Sequence, residues 1–429
     1  MTFYVVTSAK HSAEVYRNTN TLSFENFVQG LMRTNGNTDR VIRVMYAALP
    51  NNKPGFPNPQ GDSLGVLAQK MHIHQLHPGE NLVSLQKAVQ VWISGNVTMR
   101  ALQETCSFAK SKTPSSIEMP VYQWCSNYFV RLGQHVYFGQ TLDDIGPTLT
   151  DDFFVFDELI WKMLYQYPSF LSHDMSRPRT RIIASLKQYF QAPRRNGEMR
   201  ALGIDDEDLA VLVFHLYFAI NTNTRKTVFW LLTYLLHNPS YLEAYRQETG
   251  PAFQGHDLVD PHYIQDPAKC PLVDAVWNET LRLSGWSASV RLVTRDTVIG
   301  GKRLRAGHRV MVPHRLLHFD EAVFGADIHA FWPERWMAKG DGEHPPANLT
   351  RSPSWRPFGA GKTMCSGRFL ARFSVTTLVA TLLRRFNVEL VGSPKFPRAD
   401  EGRPVLGIMS IKEGDDFTVR LTPMESVSN

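Results

Sequence analysis

One segment constrains this chain more than any other: Pro357-Phe358-Gly359-Ala360-Gly361-Lys362-Thr363-Met364-Cys365-Ser366-Gly367-Arg368, a glycine-rich turn with a cysteine at the start of an apolar-periodic run. Two readings compete. Gly361-Lys362-Thr363 matches the end of a phosphate-binding loop, but that motif needs a glycine where Arg356 stands, and a hydrophobic strand where Ser352-Pro353-Ser354-Trp355 stands. The second reading starts from Cys365 at a helix N-terminus, where backbone N–H groups and the helix dipole favour a thiolate. Such a thiolate can ligate iron. Gly359, Gly361 and Gly367 lack a Cβ, so the backbone can approach a flat macrocycle closely, and Phe358 can cover that ligand from the side.

The rest of the chain suits a large folded body around such a site. It has 429 residues, 43% hydrophobic and 20% charged, which rules out wholesale disorder. No fixed-period repeat is present, so solenoids drop out. The net charge of +6 comes from short clusters such as Arg194-Arg195 and Arg384-Arg385, a poor footprint for nucleic acid. Cys106, Cys125, Cys270 and Cys365 are scattered without CxxC spacing, which fits neither a disulfide framework nor a zinc ribbon and suits a reducing compartment. Residues 1–10 lack the basic start and apolar stretch of a signal peptide. The most apolar run, 209–220, is interrupted by His215 and falls short of the roughly 20 residues of a spanning helix, so it reads as core.

Periodicity supplies the order of elements. Phe3-Tyr4-Val5-Val6 reads as a strand, and helical spacing follows through 82–102, 121–138 and 153–167, with breaks at 111–116, 172–178 and 193–197. Asp205, Asp206, Glu207 and Asp208 put negative charge at a helix start, and the apolar pattern then runs on to Leu236 before Asn238-Pro239, predicting the longest helix of the chain. A helix over 271–284 is followed by alternation over 289–299, a Gly300-Gly301 hairpin turn and a strand over 309–312. A Pro- and Gly-rich stretch, 337–361, leads into a last helix over 367–386, with short strands near 406–411 and 417–421. The expected fold class is mainly α with a minor β lobe.

Phe358-x-x-Gly361-x-Thr363-x-Cys365-x-Gly367 resembles the haem-thiolate signature of the cytochrome P-450 family. Two further family elements stand in family order, Glu279-Thr280-Leu281-Arg282 and then Pro333-Glu334-Arg335-Trp336. The resemblance runs from the first strand to the last and implies the cytochrome P-450 fold over 1–429 as one catalytic domain. It implies haem iron ligated by Cys365, with Phe358, Gly359, Gly361 and Gly367 around the cofactor. By spacing alone Glu279 and Arg282 read as a surface ion pair on one helix face; the resemblance instead pairs them with Arg335 in a buried triad that braces the cysteine loop. Arg291, by itself an exposed strand arginine, matches a position that contacts a haem propionate. Membrane-bound members carry an anchor helix and a Pro-rich hinge ahead of a segment like 3–7. Their absence here implies a truncated chain or an unusual soluble form. The implied location is the cytosolic face of the endoplasmic reticulum membrane, or the cytoplasm if the chain is complete as written, with membrane association tied to a missing anchor.

The long helix departs from the family pattern where most monooxygenases carry an acid and an alcohol for proton delivery: the row here is Ala219-Ile220-Asn221-Thr222-Asn223-Thr224. Thr222 and Asn223 replace that pair. This row, and Thr363 where most relatives have Arg or His, are similar to the branch that holds prostacyclin synthase and the sterol 7-alpha- and 12-alpha-hydroxylases. Asn221 and Asn223 can equally cap or bend the helix, with Thr224 left to hold a water. Lys362, Arg368 and Arg372 either form the face that receives an electron-donor flavoprotein or are a solvated helix face. His72, His74 and His77 lack a metal partner at helical spacing and are expected in a polar loop.

Together these features imply NADPH- and O2-dependent monooxygenation of a lipophilic small molecule, such as a sterol, terpenoid or secondary metabolite, with electrons delivered by an NADPH-dependent flavoprotein reductase. The catalytic candidates are Asn223, Thr224 and Thr222. A redox-neutral isomerase or dehydratase acting on an oxygenated substrate is the alternative, and a cofactor-free helical binding protein the second alternative.

Overall fold

The computed structural model describes residues 3–49, 58, 60–165, 167–191, 202–337, 349–403 and 405–424. The break expected at 193–197, with Arg194-Arg195, lies outside the described residues, as does most of the Pro- and Gly-rich stretch before residue 349.

Helices dominate, and their ends follow the local chemistry. Asp205 caps helix Asp206–Asn221 by accepting from the Asp208 N–H, and three further acids occupy its first turn. Pro271 opens helix Pro271–Ser284, where its missing N–H costs nothing. Helix Val121–Phe138 begins directly after Pro120. The largest apolar cluster packs this helix against Thr224–Leu236, Pro271–Ser284 and Arg368–Arg385. A second cluster joins Leu149–Leu159 and His173–Gln191 to Asp206–Asn221.

Among the described residues the minor β part is two four-stranded sheets and two two-stranded ones. In one four-stranded sheet, Phe3–Val5 runs parallel to Arg309–Pro313, which pairs antiparallel with Ala288–Val293, which pairs in turn with Leu22–Ser23. In the other the order is Phe386–Leu390, Thr418–Pro423, Ser116–Pro120 and Ser111–Thr113, all antiparallel. Gly300 and Gly301, at φ +56° and +75°, turn the expected hairpin between Thr297–Ile299 and Lys302–Leu304.

Five expectations need correction. The break expected at 172–178 is instead the start of helix His173–Gln191, which carries Pro178 within it. The 205–236 helix is two, ending at Asn221 and restarting at Thr224, with the Thr222 and Asn223 side chains bonded to Asp157 and to the Ile408 N–H. The alternating 289–299 run splits between two sheets. Residues 406–411 make isolated bridges, Ile408 to Gly285 and Ile411 to Ala399, instead of a strand. His72 and His74 lie on helix Leu64–Leu76 with His77 as its C-cap, so they are not in a loop. Among the described residues no His, Cys, Asp or Glu cluster could hold a metal ion, and no helix is long and apolar enough to cross a membrane.

Candidate active site

The cysteine loop is built from backbone. Gly359 and Gly361, at φ +77° and +64°, take a left-handed conformation that a Cβ would strain. Their turns bring the Cys365 N–H to the Phe358 carbonyl at 3.0 Å. Helix Arg368–Arg385 then starts, with Gly367 as its N-cap. A Cβ on Gly367 would meet the Cys365 Sγ at 3.9 Å. Phe358 lies nearly parallel to Trp277 on helix Pro271–Ser284, with ring centroids 6.5 Å apart.

Cys365 is the exposed member of the four free cysteines. Protein is nevertheless dense around it, and this desolvation raises the thiol against the pull of the Gly367 and Arg368 N–H groups and the Arg368 charge. The helix start alone therefore does not make the thiolate that the sequence suggests.

Beside the loop lies a basic cluster with no carboxylate partner among the described residues. Arg291, 6% exposed, donates to Thr363 Oγ1 at 2.5 Å and to the Val290 carbonyl at 3.0 Å, and lies over the Phe24 and Tyr16 rings. Arg356 leaves a buried Nε–H without a partner. Neither guanidinium has a carboxylate partner among the described residues, and burial lowers both. Tyr16 donates to Ser289 Oγ at 2.9 Å and lies 2.8 Å from His314 Nε2. Burial, with Arg356 and Arg291 nearby, lowers His314 to about 4, so the imidazole adds no charge. A buried and a half-buried cation with an orphaned N–H call for an anion. The carboxylates of a haem fit this chemistry, next to the exposed Cys365.

Glu279 and Arg282, both 0% exposed, form a two-pronged pair at 2.8 Å through each prong. Arg335 Nε reaches Glu279 Oε1 at 3.0 Å, and the Trp332 N–H and Trp336 Nε1–H complete the carboxylate's shell at 3.1 and 2.8 Å. Arg282 also reaches the His318 carbonyl at 3.3 Å. The surface-pair alternative does not survive this burial.

At the helix break the three candidates diverge. Thr222 is buried and gives its hydroxyl to Asp157. Asn223 Oδ1 accepts the Ile408 N–H at 2.9 Å. The Thr224 side chain is half-buried and has no hydrogen-bond partner among the described residues. Arg225 and Lys226, read from sequence as the polar end of an apolar run, are 1% and 2% exposed and both contact Asp157. Sequence reasoning singled out none of Asp157, Arg356, Tyr16 or His314. The one signal for the buried cluster was an acidic pair, Asp157-Glu158, in the apolar 153–160 run and a basic pair in another.

The basic face is smaller than expected. Lys362 is exposed, while Arg368 contacts the Cys365 carbonyl at 2.8 Å and His77 Nε2 at 3.3 Å. Arg372 is held by Asp274 at 3.0 Å and by the Gln265 carbonyl.

Comparison with known proteins gives the chain its family. A family model for cytochrome P450 matches residues 150–419. The cytochrome P450 monooxygenase poxD of Penicillium oxalicum is 26% identical over 426 residues, covering 93% of this chain and 80% of its own. Cytochrome P450 7A1 of Rattus norvegicus is 23% identical, covering 80% and 73%. A self-sufficient cytochrome P450 monooxygenase, CYP505AG1 of Oidiodendron maius, matches 51% of this chain but only 19% of its own, at 29% identity. With its cysteine loop and the Glu279–Arg282–Arg335 cluster, the chain belongs to the cytochrome P450 family and is a haem-thiolate monooxygenase.

Proposed function

We propose that Cys365 is the axial ligand of the haem and that the enzyme hydroxylates, or otherwise oxidises, a lipophilic small molecule of the sterol, terpenoid or secondary-metabolite class. The carrying observation is the pairing of an accessible Cys365 with the uncompensated Arg291 and Arg356 on one side of the same loop. Bound there, haem supplies thiolate-assisted oxygen activation. Arg291 and Arg356 hold its carboxylates, a division of charge that makes up for Thr363 standing where most of the family has a cation. Phe358, Gly359, Gly361 and Gly367 shape the surface against it. The Glu279–Arg282–Arg335 triad braces the loop from below.

On the other side, the half-buried Thr224 hydroxyl holds a water, and Asn223, oriented by the Ile408 N–H, presents its amide nitrogen. A relative described as steroid 17-alpha-hydroxylase/17,20 lyase, from Oryzias latipes, is 26% identical over 62% of this chain and supports a lipophilic polycyclic substrate. An NADPH-dependent flavoprotein supplies electrons at the face with Lys362 and Arg368. Location on the endoplasmic reticulum membrane follows the family's habit.

The test is spectroscopic and then kinetic. The reduced, carbon-monoxide-bound protein should show the absorbance band of thiolate ligation, and Cys365→His should lose it. Turnover should need NADPH, a reductase and dioxygen. Conversion of a hydroperoxide or endoperoxide under argon without reductant would favour the isomerase instead.

A further inference from the structure

The helix break carries no acid of its own, yet a carboxylate reaches it from another element. Asp157, on helix Leu149–Leu159, accepts the Thr222 hydroxyl through Oδ1. Its Oδ2 is held by Arg225 Nη2 and, at 2.7 Å, by Lys226 Nζ. The next residue, Glu158, faces outward. It accepts the Tyr122 hydroxyl at 3.1 Å, Arg225 Nη2 at 3.3 Å and the Ser410 hydroxyl at 3.3 Å. It also lies 3.7 Å from Arg403, which is 39% exposed. Polar groups therefore run from the surface through Glu158, the Arg225 guanidinium and Asp157 to the break at Thr222. Among the described residues, Asp157 is the carboxylate hydrogen-bonded to that break.

Stability does not account for this arrangement. A buried ion pair roughly cancels its own desolvation cost, and apolar residues of similar volume would hold the two helices at least as well. Monooxygenation, in contrast, consumes protons inside a dry site, and these must come through side chains or ordered water.

We propose that Asp157 is a proton-relay residue that serves the break through Thr222, supplying from a neighbouring helix the acid that the row Asn221 to Thr224 lacks. The proposal rests on the monooxygenase reading. The transfer balances only with solvent as the source: Glu158 takes one proton from water at the surface, and Arg225 Nη2, which donates to both carboxylates, gives one proton to Asp157 as it receives the one from Glu158, so the guanidinium is unchanged. The Thr222 hydroxyl, a donor to Asp157 at rest, turns to accept from it and releases one proton to water at the break. No electrons move. Arg225 and Lys226 against Asp157 and Glu158 leave the cluster neutral at rest. Burial pushes the Asp157 carboxyl up, and the Lys226 and Arg225 charges outweigh it, so the group rests ionised.

The test needs no known substrate. Haem-loaded protein is given NADPH, dioxygen and a purified reductase alone, and NADPH and dioxygen consumption are measured together. Two electrons and two protons make peroxide, at one NADPH per dioxygen; four of each make water, at two. Thr222→Val is near-isosteric and leaves the ion pairs in place. It should lower the ratio towards one and raise the solvent deuterium isotope effect on NADPH consumption about twofold, and Thr222→Ser should restore both. Asp157→Asn should behave as Thr222→Val where it folds. In the resting protein, the infrared carboxylate band lost in Asp157→Asn should move in Thr222→Val. An unmoved band, an unchanged ratio in Thr222→Val, or a wild-type ratio already at one would overturn the relay alone. Wild-type protein that consumes no NADPH would overturn the monooxygenase reading and the relay with it.

Discussion

The Arg356 backbone N–H donates to His318 Nε2 at 3.1 Å, while the His318 carbonyl accepts from Arg282 Nη1 at 3.3 Å. One buried residue thus ties the charged triad to the loop that presents Cys365. Burial first, then His314 and the nearby arginines, push the His318 imidazole well below its ordinary range, so Nε2 stays an acceptor. His318→Leu keeps much of the volume and strands a backbone donor, at a cost of about 1–3 kcal/mol. The expected result is a lower unfolding temperature and faster haem loss, read by calorimetry and by transfer of haem to an acceptor protein. Unchanged haem retention would show that the link bears no strain from the loop.

Glu279, Arg282 and Arg335 form a unit, so their substitutions should not add. Arg282→Met leaves Glu279 buried with one partner fewer, which costs about 3–5 kcal/mol, a large part of ordinary domain stability. Adding Glu279→Gln also takes the acid from Arg335, but the Glu279–Arg282 bonds are then lost once and not twice, so the double should cost less than the sum of the singles. Denaturant melts of the two singles and the double give the coupling; strict additivity would refute the unit.

How much of this was legible from sequence divides by range. The cysteine loop, the helix over 271–284 and the Gly300-Gly301 turn rest on neighbours in the chain, and their signals are local. The break at Thr222 and Asn223 is invisible to periodicity, because apolar spacing continues through it. It depends on Asp157, 65 positions earlier, and on Ile408, 185 positions later. The burial of Arg225 and Lys226 has the same cause, since two cations in sequence look solvated until a carboxylate from another helix meets them. Residues 406–411 misled in the opposite direction. Their apolar alternation reads as a strand, but Met409 N–H and the Gly407 carbonyl bond to Ser284 and Trp286 at the end of a helix, where no strand is available. Arg356 and His314 carried no motif, and only the basic cluster they belong to gives them meaning.

His314 sets a pH dependence. It is 2% exposed, and burial together with Arg356 and Arg291 lowers it from 6.5 to about 4. Between those values the unfolded chain takes a proton that the folded chain refuses, so stability falls as pH drops through that window. The slope is about 1.4 kcal/mol per pH unit for one proton. Replacing the residue with glutamine should flatten this part of the curve. Melts of the haem-loaded protein from pH 7 to 4 check it, and a wild-type slope retained in His314→Gln would place the sensitivity elsewhere.

Gly407 and Asn223 offer the sharpest steric test. A Cβ built on Gly407 would stand 2.0 Å from Asn223 Oδ1 and 2.5 Å from its Cγ, far inside any real contact. The amide cannot yield without giving up the Ile408 N–H, which fixes its orientation at the helix break. Gly407→Ala should therefore cost about 1–3 kcal/mol through overpacking. It should also turn the amide and alter the substrate-induced Soret shift of any lipophilic compound that gives one in the wild type. Asn223→Ala in the same chain removes the clashing atoms, so the double variant should be more stable than the sum of the singles predicts. A Gly407→Ala protein with wild-type melting and wild-type Soret shifts would mean that the loop moves aside freely, and that the Ile408 contact does not hold Asn223 in place.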